Sequence, residues 1–114
     1  MKYMLQVRFN GADAVIGGLP AAEQAKVTAE FQAISQVPGV LDGNQLHPAG
    51  AATTVRLDDG RIQVSDGPAV PAGTELNGYY IYDAPDLDAA IAFATRIPVV
   101  RMGGTVEVRT MVQR

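Results

Sequence analysis

The chain of 114 residues contains no cysteine. Disulfides, thiolate metal sites and a cysteine nucleophile are thereby excluded. It contains one histidine, and a lone imidazole without thiolates makes a poor zinc site. No metal and no cofactor are expected. Positive charge is also scarce: nine Lys and Arg stand against twelve Asp and Glu, for a formal net charge of −3. The basic residues are scattered and form no run, so no nucleic acid is expected as a partner, because phosphate neutralisation needs clustered cations. No stretch approaches the roughly eighteen apolar residues of a membrane span, and no membrane association is expected. Arg8 and Asp13 interrupt the first residues too early for the apolar region of a signal peptide. The default expectation is a cytoplasmic protein. Neither a P-loop nor a G-x-G-x-x-G turn occurs. The two serines, Ser35 and Ser65, sit in helical and strand contexts rather than in a nucleophile elbow. NTP hydrolysis, dinucleotide binding and serine hydrolysis are disfavoured.

What is present reads as one globular domain. The chain is 47% hydrophobic and 18% charged, and its length suits a single core of its own. In residues 2–9, Tyr3, Leu5, Val7 and Phe9 alternate with Met4, Gln6 and Arg8, which predicts a strand with two different faces. Asn10-Gly11 ends it, and Gly17-Gly18 is a second breaker. Pro20 is placed at the first helical position, with Glu23 in the first turn. The helix runs over 21–37 with Val27, Phe31 and Ile34 as its apolar stripe, Gln24 and Val37 at its margins, and Pro38-Gly39 as its stop.

A short strand at 40–46, weakened by Gly43 and Asn44, leads into the loop His47-Pro48-Ala49-Gly50. Residues 53–58 and 61–65 flank Asp59-Gly60, the strongest hairpin signal in the chain. Residues 68–78, with Pro68, Pro71, Gly73 and Gly78, read as a loop. A strand at 78–83 holds Tyr79, Tyr80 and Tyr82. Pro85 opens a second helix with Asp86 and Asp88 in its first turn. Leu87, Ile91 and Ala94 share one face, with Ala90 and Phe93 beside it, and Pro98 ends the helix. Residues 105–112 close the chain as a strand.

The order is β, α, β, hairpin, β, α, β. Two β-α-β units around one antiparallel sheet predict an α+β, ferredoxin-like fold with an inserted hairpin. Two helices cover one face of such a sheet. The other face, read as carrying Tyr, Met, Val and Leu, needs a partner, and a two-fold homodimer packed sheet face to sheet face is expected.

Few residues invite chemistry. His47 ends a strand beside Pro48, and imidazole titrates near neutrality, which suits a general acid or base; the alternative is a loop histidine that only hydrogen-bonds. Asp66, in Asp66-Gly67-Pro68, either caps its own turn or orients His47 as a carboxylate fixes an imidazole tautomer. Alternation puts Tyr80 and Tyr82 on one face and Tyr79 on the other; packing is the ordinary role, and lining a small-molecule pocket, with Tyr80 as candidate, is the other. Glu107 and Arg109 point the same way on the last strand. They form either a surface ion pair or, through Arg109, a contact for a carboxylate or phenolate ligand.

Six segments occur in a telling order: Met1-Lys2-Tyr3-Met4-Leu5, Ala52-Thr53-Thr54-Val55-Arg56, Asp66-Gly67-Pro68, Gly78-Tyr79-Tyr80, Asp86-Leu87-Asp88-Ala89-Ala90 and Val106-Glu107-Val108-Arg109. Together they resemble the YCII-related family, in particular its DGPF-domain branch. The resemblance implies a ferredoxin-like fold of the dimeric α/β-barrel group, a homodimer, and gene neighbourhoods with extracytoplasmic-function sigma factors. It implies little about activity. Some relatives in the wider group are enzymes with a His–Asp pair, including a dehydrochlorinase of a chlorinated hydroxyhydroquinone. Their histidine lies nearer the N-terminus, where this chain has none. The DGPF signature is also altered: Ala69 stands for its Phe, and Pro71, Gly73 and Thr74 replace the charged residues that follow, with Glu75 one place along. A non-catalytic ligand-binding or interaction module is the leading reading. A lyase- or isomerase-type enzyme using His47 and Asp66 is the alternative.

Overall fold

Alternation in the first residues produces the first strand of the computed structural model, which describes residues 1–70 and 75–114. Strand β1 (Lys2–Arg8) buries Tyr3, Leu5 and Val7 and leaves Met4, Gln6 and Arg8 half-exposed. Gly11, at φ 64°, turns the chain into a short helix α1 (Ala12–Gly17) that no sequence signal marks. Six residues are too few for a periodic apolar stripe to register, and this helix buries none of its residues.

Helix α2 (Ala21–Ser35) has Pro20 as its cap, one place outside the helix instead of first within it. Val27 and Ile34 are buried and Phe31 half-buried, as the stripe predicts. Strand β2 (Val40–Gln45) follows. Gly43 permits this strand where its propensity argues against it. A Cβ there would stand 2.7 Å from the Tyr80 ring, so the missing side chain leaves the space that the ring occupies.

Strands β3 (Thr53–Asp58) and β4 (Arg61–Asp66) form the predicted hairpin. Asp59 and Gly60 have φ of 48° and 75°, the doubly positive conformation of a type I′ turn. Strand β5 (Leu76–Asp83) starts two residues before the prediction. Pro71, Gly73 and Thr74 lie outside the described residues.

Helix α3 (Leu87–Ala94) is capped by Asp86, whose carboxylate accepts the Ala89 N–H at 2.9 Å. Its apolar face is a correction. Leu87 and Ile91 are 49% and 46% exposed, while Ala90, Phe93, Ala94 and the following Ile97 are buried. The i, i+3, i+4, i+7 stripe begins at residue 90, not 87, because Phe93 has two aromatic partners on β5. It stacks on Tyr82 at 4.1 Å and meets Tyr80 edge-on at 6.2 Å. Strand β6 (Thr105–Thr110) ends the fold.

The four-stranded sheet has the order β2-β5-β1-β6, with every neighbouring pair antiparallel. That order is compatible with the ferredoxin-like plan, and the architecture is α+β. The core lies between one sheet face and the helices: Tyr3, Leu5, Val7 and Tyr80 pack with Ile34, Ala90 and Phe93. Among the described residues, strands β3 and β4 pair only with each other, as a separate ribbon. Among the described residues, no helix is long and apolar enough to cross a membrane.

Removing the Phe93 ring should open a cavity under β5. Phe93→Ala is expected to lose about 3–5 kcal/mol, against less than about 1 kcal/mol for Leu87→Ala. Chemical denaturation of the two variants checks this, and equal losses would contradict the observed register of α3.

Candidate functional site

His47 follows β2 and is exposed. With Asp13, Gln45, Leu46 and Pro48 it lines a shallow cleft of about 340 Å³. Asn77 holds the cleft's two rims together. Its side-chain oxygen accepts the Phe9 N–H at 2.6 Å, and its carbonyl accepts the Leu46 N–H at 2.8 Å. The end of β1, which leads to Asp13, and the end of β2, which leads to His47, are therefore tied to one residue of β5. Sequence reasoning missed Asp13 and Asn77, since nothing local marks either residue.

Asp66 lies outside this cleft. It ends β4, opposite Thr53, at the base of the hairpin. The turn after it is closed by others: the Gly67 N–H donates to the Ala52 carbonyl and the Thr54 hydroxyl to the Gly67 carbonyl, both at 2.7 Å. No hydrogen bond or ion pair joins Asp66 to His47, and Asp66 does not line the His47 cleft. The carboxylate that shares the cleft with His47 is Asp13.

The other two candidates separate as well. Tyr80 is buried on the helix side of β5, wedged against Phe93. Arg109 is exposed on β6, on the opposite face. Alternation predicts this split for the tyrosines, and the phenol that shares a face with Arg109 is Tyr79.

That open face is more polar than its strands suggest. The valines and leucines of β1 and β6 turn inward, so the outward rows are mixed. Register sets them directly: Asn44, Tyr79, Gln6 and Glu107 lie side by side across the four strands, and Asp42, Ile81, Met4 and Arg109 form the next row. At one end of these rows the side chains already interact. Asn44 donates to the Tyr79 hydroxyl at 2.9 Å, and that hydroxyl donates to Asp42 at 3.3 Å. On β1, Arg8 donates to Gln6 at 3.0 Å. Glu107 and Arg109 form no ion pair among the described residues. The described residues include no cluster of three or more ligating groups able to hold a metal.

With the geometry in view, comparison with protein families is decisive on kinship. The family model of the YCII-related domain matches residues 1–113. The chain belongs to the YCII-related family. No curated protein matches it.

The perturbed proton affinities in this YCII-related domain have structural explanations. The Arg101 guanidinium grips Glu30 through two contacts of 2.6 Å, holding that carboxyl below its ordinary value and tying α2 to the turn before β6. Burial pushes the Tyr80 phenol above its ordinary value near 10, and a Ser35 hydrogen bond offsets part of that.

A raised phenol pKa in the folded state means that the unfolded chain loses this proton first as pH rises. Stability should therefore be fully present below pH 10 and fall as pH climbs through the folded-state value. Tyr80→Phe should flatten that alkaline loss in denaturant midpoints taken from pH 8 upward, and an unchanged slope would dissociate it from Tyr80. Asn77→Ala leaves the Phe9 N–H without its acceptor and is expected to cost about 1–3 kcal/mol, read by the same melts.

Proposed function

We propose that this YCII-related domain is a non-catalytic binding module of the DGPF branch, holding a small carboxylate or phenolate on its open sheet face. The observation that carries the reading is the row Asn44, Tyr79, Gln6 and Glu107 across that face, with Arg109 at the end of the next row. Arg109 offers a planar guanidinium for bidentate contact with a carboxylate. Gln6 adds an amide, and Tyr79, held by Asp42 and Asn44, supplies an aromatic surface with a fixed hydroxyl. The Asp66-Gly67-Pro68 turn supports the branch. A cytoplasmic regulatory setting of the sigma-factor kind is the context that the family resemblance suggests.

The same face favours a homodimer of the dimeric-barrel type. Asp42 on β2 and Arg109 on β6 stand at opposite ends of one row. A two-fold axis along the strands, between two such faces, brings each Asp42 opposite the other copy's Arg109, so the surface is complementary to itself. The ligand then lies between the two sheets, away from bulk water, where a guanidinium–carboxylate contact strengthens.

A second reading, a lyase-type enzyme, rests on one observation: His47 and Asp13 line a common cleft. It reassigns the carboxylate partner of His47 from Asp66 to Asp13. The acid/base work would pass through an exposed imidazole in an open cleft, which does little to exclude water.

Calorimetric titration with small aromatic carboxylates and phenols distinguishes the readings. Binding without turnover is expected, weakened at least about tenfold by Arg109→Ala and also by Tyr79→Phe, and unchanged by His47→Ala. Product formation that His47→Ala lowers by about 100-fold or more would replace the binding module with the enzyme.

A further inference from the structure

Cross-strand partners in an antiparallel ribbon point to the same side. In the β3–β4 hairpin, Val55 faces Val64 and Leu57 faces Ile62. These four therefore form one aliphatic face, while Thr54, Arg56, Asp58, Arg61, Gln63 and Ser65 form the other. The aliphatic face is bare: the four residues are 63% to 68% exposed. Scattered exposed aliphatics are ordinary, but four contiguous ones on a single ribbon face amount to a patch of a few hundred Å², the size that marks an interaction site.

The ribbon's shape adds a second constraint. A lone two-stranded hairpin is marginal in water, yet this one pairs with no strand of the main sheet. The chain's radius of gyration is 16.1 Å, against about 13 Å for a compact domain of this length. The protomer is thus an incomplete globule with an arm.

We infer that the aliphatic face of the β3–β4 hairpin is an exchange arm that docks on a second copy of this chain. Area favours a second copy as the occupant. A stable interface takes about 800 Å² from each partner. A patch of a few hundred Å² is too small alone, but in a two-fold dimer each copy both donates an arm and receives one, and the two contributions together approach that area. The polar face of the ribbon then stays in water, as its Arg, Asp, Gln and Thr side chains require. The inference rests on the homodimer proposed above and adds the element that clamps it.

Sedimentation of the full chain across the micromolar range tests the arm, with Leu57→Glu/Ile62→Glu as the variant. The wild-type chain should sediment as a dimer, and the double variant should dissociate at least about a hundredfold more readily while keeping its helical and strand signal. A variant dimer as tight as the wild type overturns the arm while leaving the ligand site standing. A wild-type monomer at high micromolar concentration overturns arm and homodimer together. A wild-type dimer that depends on the arm but binds no aromatic carboxylate or phenol overturns the ligand reading alone. Hydrogen exchange on the unmodified chain gives a check free of substitutions. Hairpin amides should gain protection as concentration rises, and fast exchange throughout counts against the arm.

Discussion

Phe93 decides which way the sheet faces. Its ring stacks on Tyr82 and meets Tyr80 edge-on, so two alternate residues of β5 are held on the helix side, and Tyr79 between them must point outward. Because β5 is the strand between β2 and β1, this choice passes through the ladders to its neighbours. Leu5 and Gly43 go inward with Tyr80; Gln6 and Asn44 go outward with Tyr79. A one-residue slip would exchange the two sets, burying amides and exposing the core. The missing side chain at Gly43 belongs to the same arrangement, since any Cβ there would meet the Tyr80 ring.

Once that face is set, the position of the polar groups follows without further design. The residues that carry the proposed binding surface are scattered over four strands, from Gln6 to Arg109, and each is ordinary in its own segment. Antiparallel register brings them into two rows. The Tyr79 hydroxyl is then held between Asp42 and Asn44, so its orientation is paid for before any ligand arrives. The opposite charges of Asp42 and Arg109 at the ends of one row make the surface suited to a rotated copy of itself. The bare ribbon of β3 and β4 is a separate demand for a partner, and the proposed two-fold assembly would answer both.

The His47 cleft illustrates a different dependence. Asn77 draws the ends of β1 and β2 to itself by one side-chain and one main-chain hydrogen bond, and the cleft is what lies beyond those ends. Asp13 reaches it on a short helix, and Asp66 does not line it. The Asp66-Gly67 turn instead stitches the base of the hairpin through Ala52 and Thr54. Its chain position next to a strand end was no guide to its neighbours in space.

Period and punctuation in the sequence determined most of the elements: the alternation of β1, the stripe of α2, the Asp59-Gly60 turn, the strand of tyrosines and the family kinship that the ordered motifs carry. These are local properties, written in spacings of two to seven residues, and the polypeptide obeys them because side-chain direction follows backbone geometry. The face of α3 was the exception, since Leu87, Ile91 and Ala94 make as good a stripe as Ala90, Phe93 and Ala94; only the two aromatic partners on β5 separate them. The separation of Tyr80 from Arg109, the cleft partner of His47 and the mixed rows of the open face were likewise decided by tertiary structure alone. Each depends on which strands become neighbours and in what register, and that is settled by burial across the whole sheet, which no single segment encodes.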